Sequence, residues 1–401
     1  MKYTAQQQQH QVRLSLQLSA AELPADPVAR QTALQQFCAQ ILRENAWEPS
    51  REPRLDIVRE TPQQVQATCV VDLFPPVTLP QHLAASLTAP AMAFPAETEL
   101  LERLQALQLQ YAEQTDTGKP ADWGNVLCVG WIGTCDDQLI PQSVRSRFWL
   151  VLSQDPWASP LARFLIGAQA GQLLSVPQPL AKDFPYLPWR GKTAQYHVFV
   201  HAVQAARVPP ANEVLAQLSG TADFEALLSQ LHNDLRAEKQ AAWRQQLREL
   251  VVAEVVSQSR LQVPASWIKD TLEASWQATD KTALQALEPY LPQATALLEN
   301  GFKSWQQQRH LYQAHERDLA TQLVLRAVAR QQQLQLEEAE ITAALDTLGQ
   351  PLNLSADLVW GALQQDAQAQ RLLNQLLLDK AADWLVRQAR IQYEGQLLQI
   401  P

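Results

Sequence analysis

The chain has 401 residues, a net charge of −9 and four cysteines. The acidic balance argues against nucleic acid as the main partner, because phosphate binding needs a dense basic surface, and no apolar run is long enough to make a membrane the partner. Cys38, Cys69, Cys128 and Cys135 are too few and too scattered for a disulfide framework or a zinc finger. The first 18 residues hold no uninterrupted apolar h-region, so a reducing cytoplasm is the expected location. Two or three domains fit the length. Twelve glycines against 25 prolines suggest helices joined by Pro-stiffened connections.

Residues 11–18 alternate apolar and polar side chains and predict a strand with one buried face. After a break at Pro24, residues 27–45 predict a helix with Pro27 in its first turn and Val28, Leu34, Phe37, Ile41 and Leu42 facing inward. Strand patterns return over 47–79, notably 66–74. Residues 1–75 thus read as a small α/β domain. Residues 76–120 read as an extended connector carrying a short amphipathic helix over 97–115. Residues 121–207 are mostly strand-like, at 125–135, 147–153 and 195–206, with a short helix over 159–168 between the second and third.

From residue 208 to the end every segment reads as helical. The longest apolar stripe runs from 224 to 264, with Leu227, Leu228, Leu231, Leu235, Trp243, Leu247, Leu250, Val251 and Val255 recurring mostly at steps of three and four. Asp223 or Thr221 can serve as N-cap. About 35 residues give a rod roughly 50 Å long, wider than a small domain. Further helices follow at 264–276, 288–330 with a breaker at Gly301, 336–348, 356–365 and 368–388. The expected fold is α+β and multidomain: an α/β start, a β-rich middle and an elongated all-α end with arms.

Catalytic constellations are scarce. Arg190, Gly191, Lys192 and Thr193 look like the end of a phosphate loop, but Tyr186 stands where that motif needs Gly. His197 and His201 share a strand face without a third ligand, so no metal is expected, and no cofactor either. Cys128 and Cys135 suit small core positions better than a redox pair. The 12 tryptophans are spread over the chain. Six of them (Trp243, Trp267, Trp276, Trp305, Trp360 and Trp384) lie in the helical part. An open helical frame leaves some apolar stripes uncovered, which suits transient contact with other chains.

Taken together, the order of segments resembles trigger factor, the ribosome-associated bacterial chaperone. The best part runs over 196–268: a last strand, a charged long helix, and Val263-Pro264 opening the next helix. The run 319–398 is similar too. Two departures matter. The family carries a docking loop, Gly-Phe-Arg-x-x-Lys-x-Pro, before the helix of its first domain, whereas here Leu18 passes through 20–26 directly to Pro27. The resemblance therefore implies a chain that does not dock on the ribosome in the family manner.

The second departure lies in the middle domain, which resembles the FK506-binding type of prolyl isomerase. Gly130 stands where the family has Asp, and Trp131 where it has a pocket Phe. Trp157, Ala158 and Leu161 fall in the Met-Ile-Pro-Gly-Phe stretch, Phe184 matches the pocket Tyr, and Tyr196 matches a core Phe. The resemblance implies a degenerate isomerase pocket at these seven positions. Isomerisation of an X-Pro bond asks for little beyond a desolvated apolar cradle that favours the twisted amide.

The expected function is an ATP-independent chaperone whose helical cradle holds unfolded, partly folded or nascent polypeptides. Trp243, Leu247, Trp267, Trp276 and Trp305 are the expected client contacts. Two rivals stand beside it. One is a prolyl isomerase whose helices deliver substrate; the other is an assembly adaptor with one dedicated partner.

Overall fold

The computed structural model of the chain describes residues 2–8, 10–19, 23–24, 26–45, 47–50, 53–61, 63–153, 161–365, 368–393 and 396–398. At the start, β1 (Lys2–Gln8), β2 (Gln11–Ser19), α1 (Pro27–Glu44), β3 (Arg54–Glu60) and β4 (Gln64–Asp72) form a four-stranded antiparallel sheet of order β1-β2-β4-β3 with one helix. Alternation decides which face is buried. Val12, Leu14, Leu16 and Leu18 of β2 and Val65, Ala67, Cys69 and Val71 of β4 pack on Leu34, Cys38, Ile41 and Leu42 of α1. Asp26 caps α1 by accepting the Ala29 N–H at 2.8 Å.

The segment after β4 is built into the helical part rather than strung between domains. Its β5 (Ser86–Thr88) pairs in parallel with a strand near the C-terminus, and Leu83, Ala85 and Ala89 are buried beside it. The predicted helix shortens to α2 (Glu97–Gln110), because β6 (Glu113–Asp116) leaves to join the middle sheet.

That sheet comprises β6, β7 (Asn125–Cys135), β8 (Gln138–Leu139), β9 (Arg145–Val151), β10 (Leu173–Pro179) and β11 (Thr193–Arg207). Its main path is β10-β11-β7-β8, with β9 on β7 and β6 on β11. The predicted short helix is a single 3₁₀ turn, Ala162–Phe164. β10 was not predicted; its two prolines are tolerated because it pairs on one side only. Nearly every residue of β7 is buried, so both faces of this strand are covered. On one face Leu127 and Val129 meet Leu161, Leu165, Val198 and Val200. On the other, Ile132 meets helices from the C-terminal part.

Those helices are α3 (Glu213–Ser219), α4 (Phe224–Gln258), α5 (Ala265–Trp276), α6 (Thr282–Leu287), α7 (Gln293–Gln307), α8 (Arg309–Gln331), α9 (Glu338–Gly349), α10 (Ala356–Gln365) and α11 (Gln368–Gln388). The long rod is α4, capped by Asp223, which accepts the Ala226 N–H at 2.7 Å. It stops at Gln258 instead of Pro264, since Arg260 exchanges two backbone hydrogen bonds of 2.9 Å with Thr78. Its 35 residues span about 52 Å.

The rod joins two cores. Leu227 and Leu231 pack with Leu104 and Leu215 at one end. Leu247, Val251 and Val255 pack with Val324, Val328, Ala381 and Leu385 at the other. Gly301, expected to break a helix, sits inside α7; the break falls at the extended Gln308. The last segment is not helical to its end: β12 (Arg390–Tyr393) pairs with β5 and with β13 (Gln396–Leu398). The molecule exposes 24,457 Å². A compact monomer of 45.0 kDa would expose roughly 16,000 Å², so this is an open, elongated frame.

Candidate functional site

The middle sheet carries a cavity of about 310 Å³ lined by Trp131, Gln142, Ser143, Arg145, Leu161, Gln178 and Tyr196. Trp131, Leu161 and Tyr196 were predicted for this pocket and are brought together. Trp131 stands edge-on to Phe148, with ring centroids 5.2 Å apart. Burial raises the Tyr196 phenol above its ordinary value, so it stays protonated at neutral pH. Phe184 packs in an adjoining aromatic cluster, its ring 6.2 Å from that of Trp189, and does not line the cavity. Trp157 and Ala158 lie outside the described residues.

Gly130 serves the opposite face. A Cβ there would lie 2.6 Å from Leu287 Cδ2 and 2.7 Å from the Ser146 carbonyl oxygen. Only a hydrogen lets α6 approach β7 this closely. Around this contact Ile132, Leu139 and Val144 of the middle domain share one core with Leu272, Trp276, Leu284, Leu287, Leu291 and Trp305. Phe199 stacks on Tyr290 at 4.6 Å, and His201 meets the same ring edge-on at 5.0 Å. Gly301 makes the second close approach, where a Cβ would fall 2.6 Å from the Trp276 ring.

One carboxylate crosses this junction. Asp280, 1% exposed, sits in a single π-helical turn, Gln277–Lys281, between α5 and α6. Its oxygens accept the backbone N–H of Gln142 at 2.7 Å, the indole N–H of Trp305 at 2.8 Å and, at longer range, the N–H of Val144 at 3.4 Å. Burial raises its pKa, and these donors oppose the rise. Gln142 and Ser143, two of the polar residues of the cavity wall, thus belong to a loop held from the helical side and leading into Arg145 at the start of β9. A lone acidic residue between helical segments gave no sequence signal for this role.

The five expected client contacts do not form one surface. Trp243 is half-buried; its indole N–H donates to the Pro90 carbonyl at 2.8 Å and its ring stands edge-on to Tyr393. Leu247 is fully buried in the same core. Trp267 packs with Phe74, Ile268, Leu319 and Leu323. Trp276 and Trp305 fill the junction with the middle domain. Exposed apolar side chains are spread over the chain, and four of them lie close together in sequence. Leu348, Leu352, Leu354 and Leu358 are 50%, 72%, 41% and 63% exposed at the turn joining α9 to α10.

The remaining motifs have structural partners. His197 lies 3.3 Å from the Thr134 hydroxyl and His201 3.0 Å from the Ser146 carbonyl oxygen; burial lowers the pKa of both. Lys192 is paired with Asp136 at 2.7 Å and leads into a strand, not a phosphate-binding helix. Cys128 and Cys135 are buried and free. Among the described residues no group of three or more His, Cys, Asp or Glu could hold a metal, and no helix is long and apolar enough to cross a membrane.

Comparison with known proteins adds the decisive observation. The family of the bacterial trigger factor protein C-terminus matches residues 223–387, the rod through to the end of α11. Trigger factors of Cutibacterium acnes, Mycobacterium bovis and Magnetococcus marinus are 25%, 23% and 22% identical over 313, 336 and 364 residues. This chain is trigger factor-like. The matches cover 76%, 83% and 88% of it, and 57%, 70% and 80% of those relatives. Against the Cutibacterium acnes protein, then, the trigger factor-like chain spans less than two thirds of the relative's length. A solved structure described as "Promiscuous Substrate Recognition in Folding and Assembly Activities of the Trigger Factor Chaperone" aligns over 96% of this chain and 99% of that one, with 13% identity and a TM-score of 0.39.

Proposed function

We propose that this trigger factor-like chain is an ATP-independent chaperone that holds unfolded or partly folded polypeptides without docking on the ribosome. The observation that carries the reading is the open frame: an exposed area of 24,457 Å² leaves long helices and their apolar residues at solvent. Apolar contact is non-directional and scales with area, so an open frame can hold many sequences weakly and release them without nucleotide. Leu348, Leu352, Leu354 and Leu358, exposed around the turn between α9 and α10, are the client contacts assigned in this reading. The experiment is aggregation of a denatured test protein at near-equimolar ratio without ATP. Slowed aggregation is expected, and no effect at any ratio would refute the reading. The lack of a Gly-Phe-Arg-x-x-Lys-x-Pro loop between Leu18 and Pro27 supports ribosome independence; co-sedimentation with salt-washed ribosomes tests it.

The cavity bounded by Trp131, Leu161 and Tyr196 favours a second reading, a residual prolyl isomerase of the FK506-binding type. Gly130 is committed to packing against Leu287, so the polar partner that the family places there is gone. Turnover of a proline tetrapeptide in a protease-coupled assay would separate the readings, because holding survives zero turnover.

A further inference from the structure

We infer that Asp280 is a latch that keeps the middle domain docked over an apolar face of α5–α7, and that release of this latch uncovers that face for polypeptide. Three observations carry it. First, the docked surfaces are apolar on both sides. Leu272, Trp276, Leu284, Leu287 and Trp305 form a wall that the middle domain covers with Ile132, Leu139 and Val144. Undocked, that wall would be a contiguous apolar patch of the kind that binds other chains.

Second, no short tether imposes the contact. The middle domain enters the helical part through Pro209 and Pro210 into α3, at the near end of the rod. The chain reaches α5 only after about 52 Å of α4. Docking is therefore a tertiary contact between elements joined remotely, and separation breaks no secondary structure.

Third, the polar contact across the junction is a buried carboxylate on a π turn, the local irregularity that often marks a functional point in a helix. Burying a carboxylate forfeits its hydration, and three N–H donors return a similar amount, so such a group selects one geometry more than it adds stability. Removing the acceptor leaves the Gln142 N–H and the Trp305 indole unpaired in a dry site. On opening, water solvates Asp280 and those donors alike. That balance gives a closed state that is specific and an open state within reach.

The test uses the full chain with surface cysteines at Lys182→Cys and Glu299→Cys, both exposed positions, carrying spin labels; Cys38, Cys69, Cys128 and Cys135 are buried. The otherwise unaltered chain is expected to give one narrow distance distribution. Asp280→Ala and, independently, Leu287→Glu are expected to broaden it towards longer distances and to raise bis-ANS fluorescence severalfold, with helical circular dichroism retained. A broad distribution before substitution, narrow ones after both, or opening without added dye binding would overturn the latch. The inhibitory role rests on the holding function proposed above. Released variants that bind dye but slow aggregation no better than the unaltered chain would overturn that role and leave the holding function standing. If no form slows aggregation, the holding function fails and the inhibitory role with it, while distances and dye still decide the latch.

Discussion

Two apolar regions of the helical part have opposite fates. At the junction with the middle domain, Trp276 and Trp305 are 4% and 0% exposed, closed in by two glycine-permitted approaches and one buried carboxylate. At the turn between α9 and α10, Leu352 and Leu358 are 72% and 63% exposed. Both stretches are apolar, one within helices and one around the break between two helices. They differ in whether another element covers them: the middle sheet packs on the junction helices. The difference teaches that residue type alone does not mark a binding surface in a frame this open. At the junction elements meet from both sides, which is why Trp276 and Trp305 are buried there.

The comparison can be broken most forcefully at the junction. Trp305→Ala should destabilise the protein by about 3–5 kcal/mol, because it empties a fully buried indole site and strips a donor from Asp280; chemical denaturation measures it. Leu247→Ala should cost about 2–5 kcal/mol in the other core for the same cavity reason, with no specific loss of holding beyond that stability change. Leu352→Asp combined with Leu358→Asp should do the reverse. Stability should change by about 0.5 kcal/mol or less per site, while suppression of client aggregation falls severalfold. Unchanged suppression would remove this turn from the holding surface.

Two smaller effects sharpen the contrast. Asp223→Ala removes the N-cap of the rod shared by both regions and should cost about 1 kcal/mol without favouring either. His201 then separates them by pH. Its surroundings are the Phe199 and Tyr290 rings, the Ser146 carbonyl and the nearby Arg147. Burial holds its pKa below the ordinary value of about 6.5. The unfolded chain therefore takes up the proton first as pH falls. The contribution of neutral His201 is present above about pH 6.5 and is lost below it. Bis-ANS binding should rise as pH drops from 7 towards 5, and His201→Phe, which keeps a ring against Tyr290, should flatten that rise. His197 shifts in the same direction from within the middle sheet, so a residual slope in His201→Phe would be assigned to it.

Much of the architecture was legible in the residues. The alternation in β2, the apolar stripe and cap of α4, and the bounds of α10 and α11 could be read because each signal repeats within a few residues. Trp131, Leu161 and Tyr196, singled out through a resemblance, line one cavity of the middle sheet. What escaped were elements defined by distant partners. β12 pairs with β5 about 300 residues earlier in the chain, and β6 exists because β11 offers it an edge. Gly301 read as a breaker because propensity cannot see the Trp276 ring that lies over it.

The sequence by itself determined the local elements, the open rod and the likeness to trigger factor, since periodicity, caps and segment order are properties of neighbouring residues. Only the tertiary structure decided which apolar residues are spent inside and which remain outside. It put Gly130 under Leu287, buried Asp280 among N–H donors from two domains, and left the leucines after α9 uncovered. Burial is a property of what meets a side chain across space, and for Asp280 and Trp305 that meeting joins segments more than 130 residues apart.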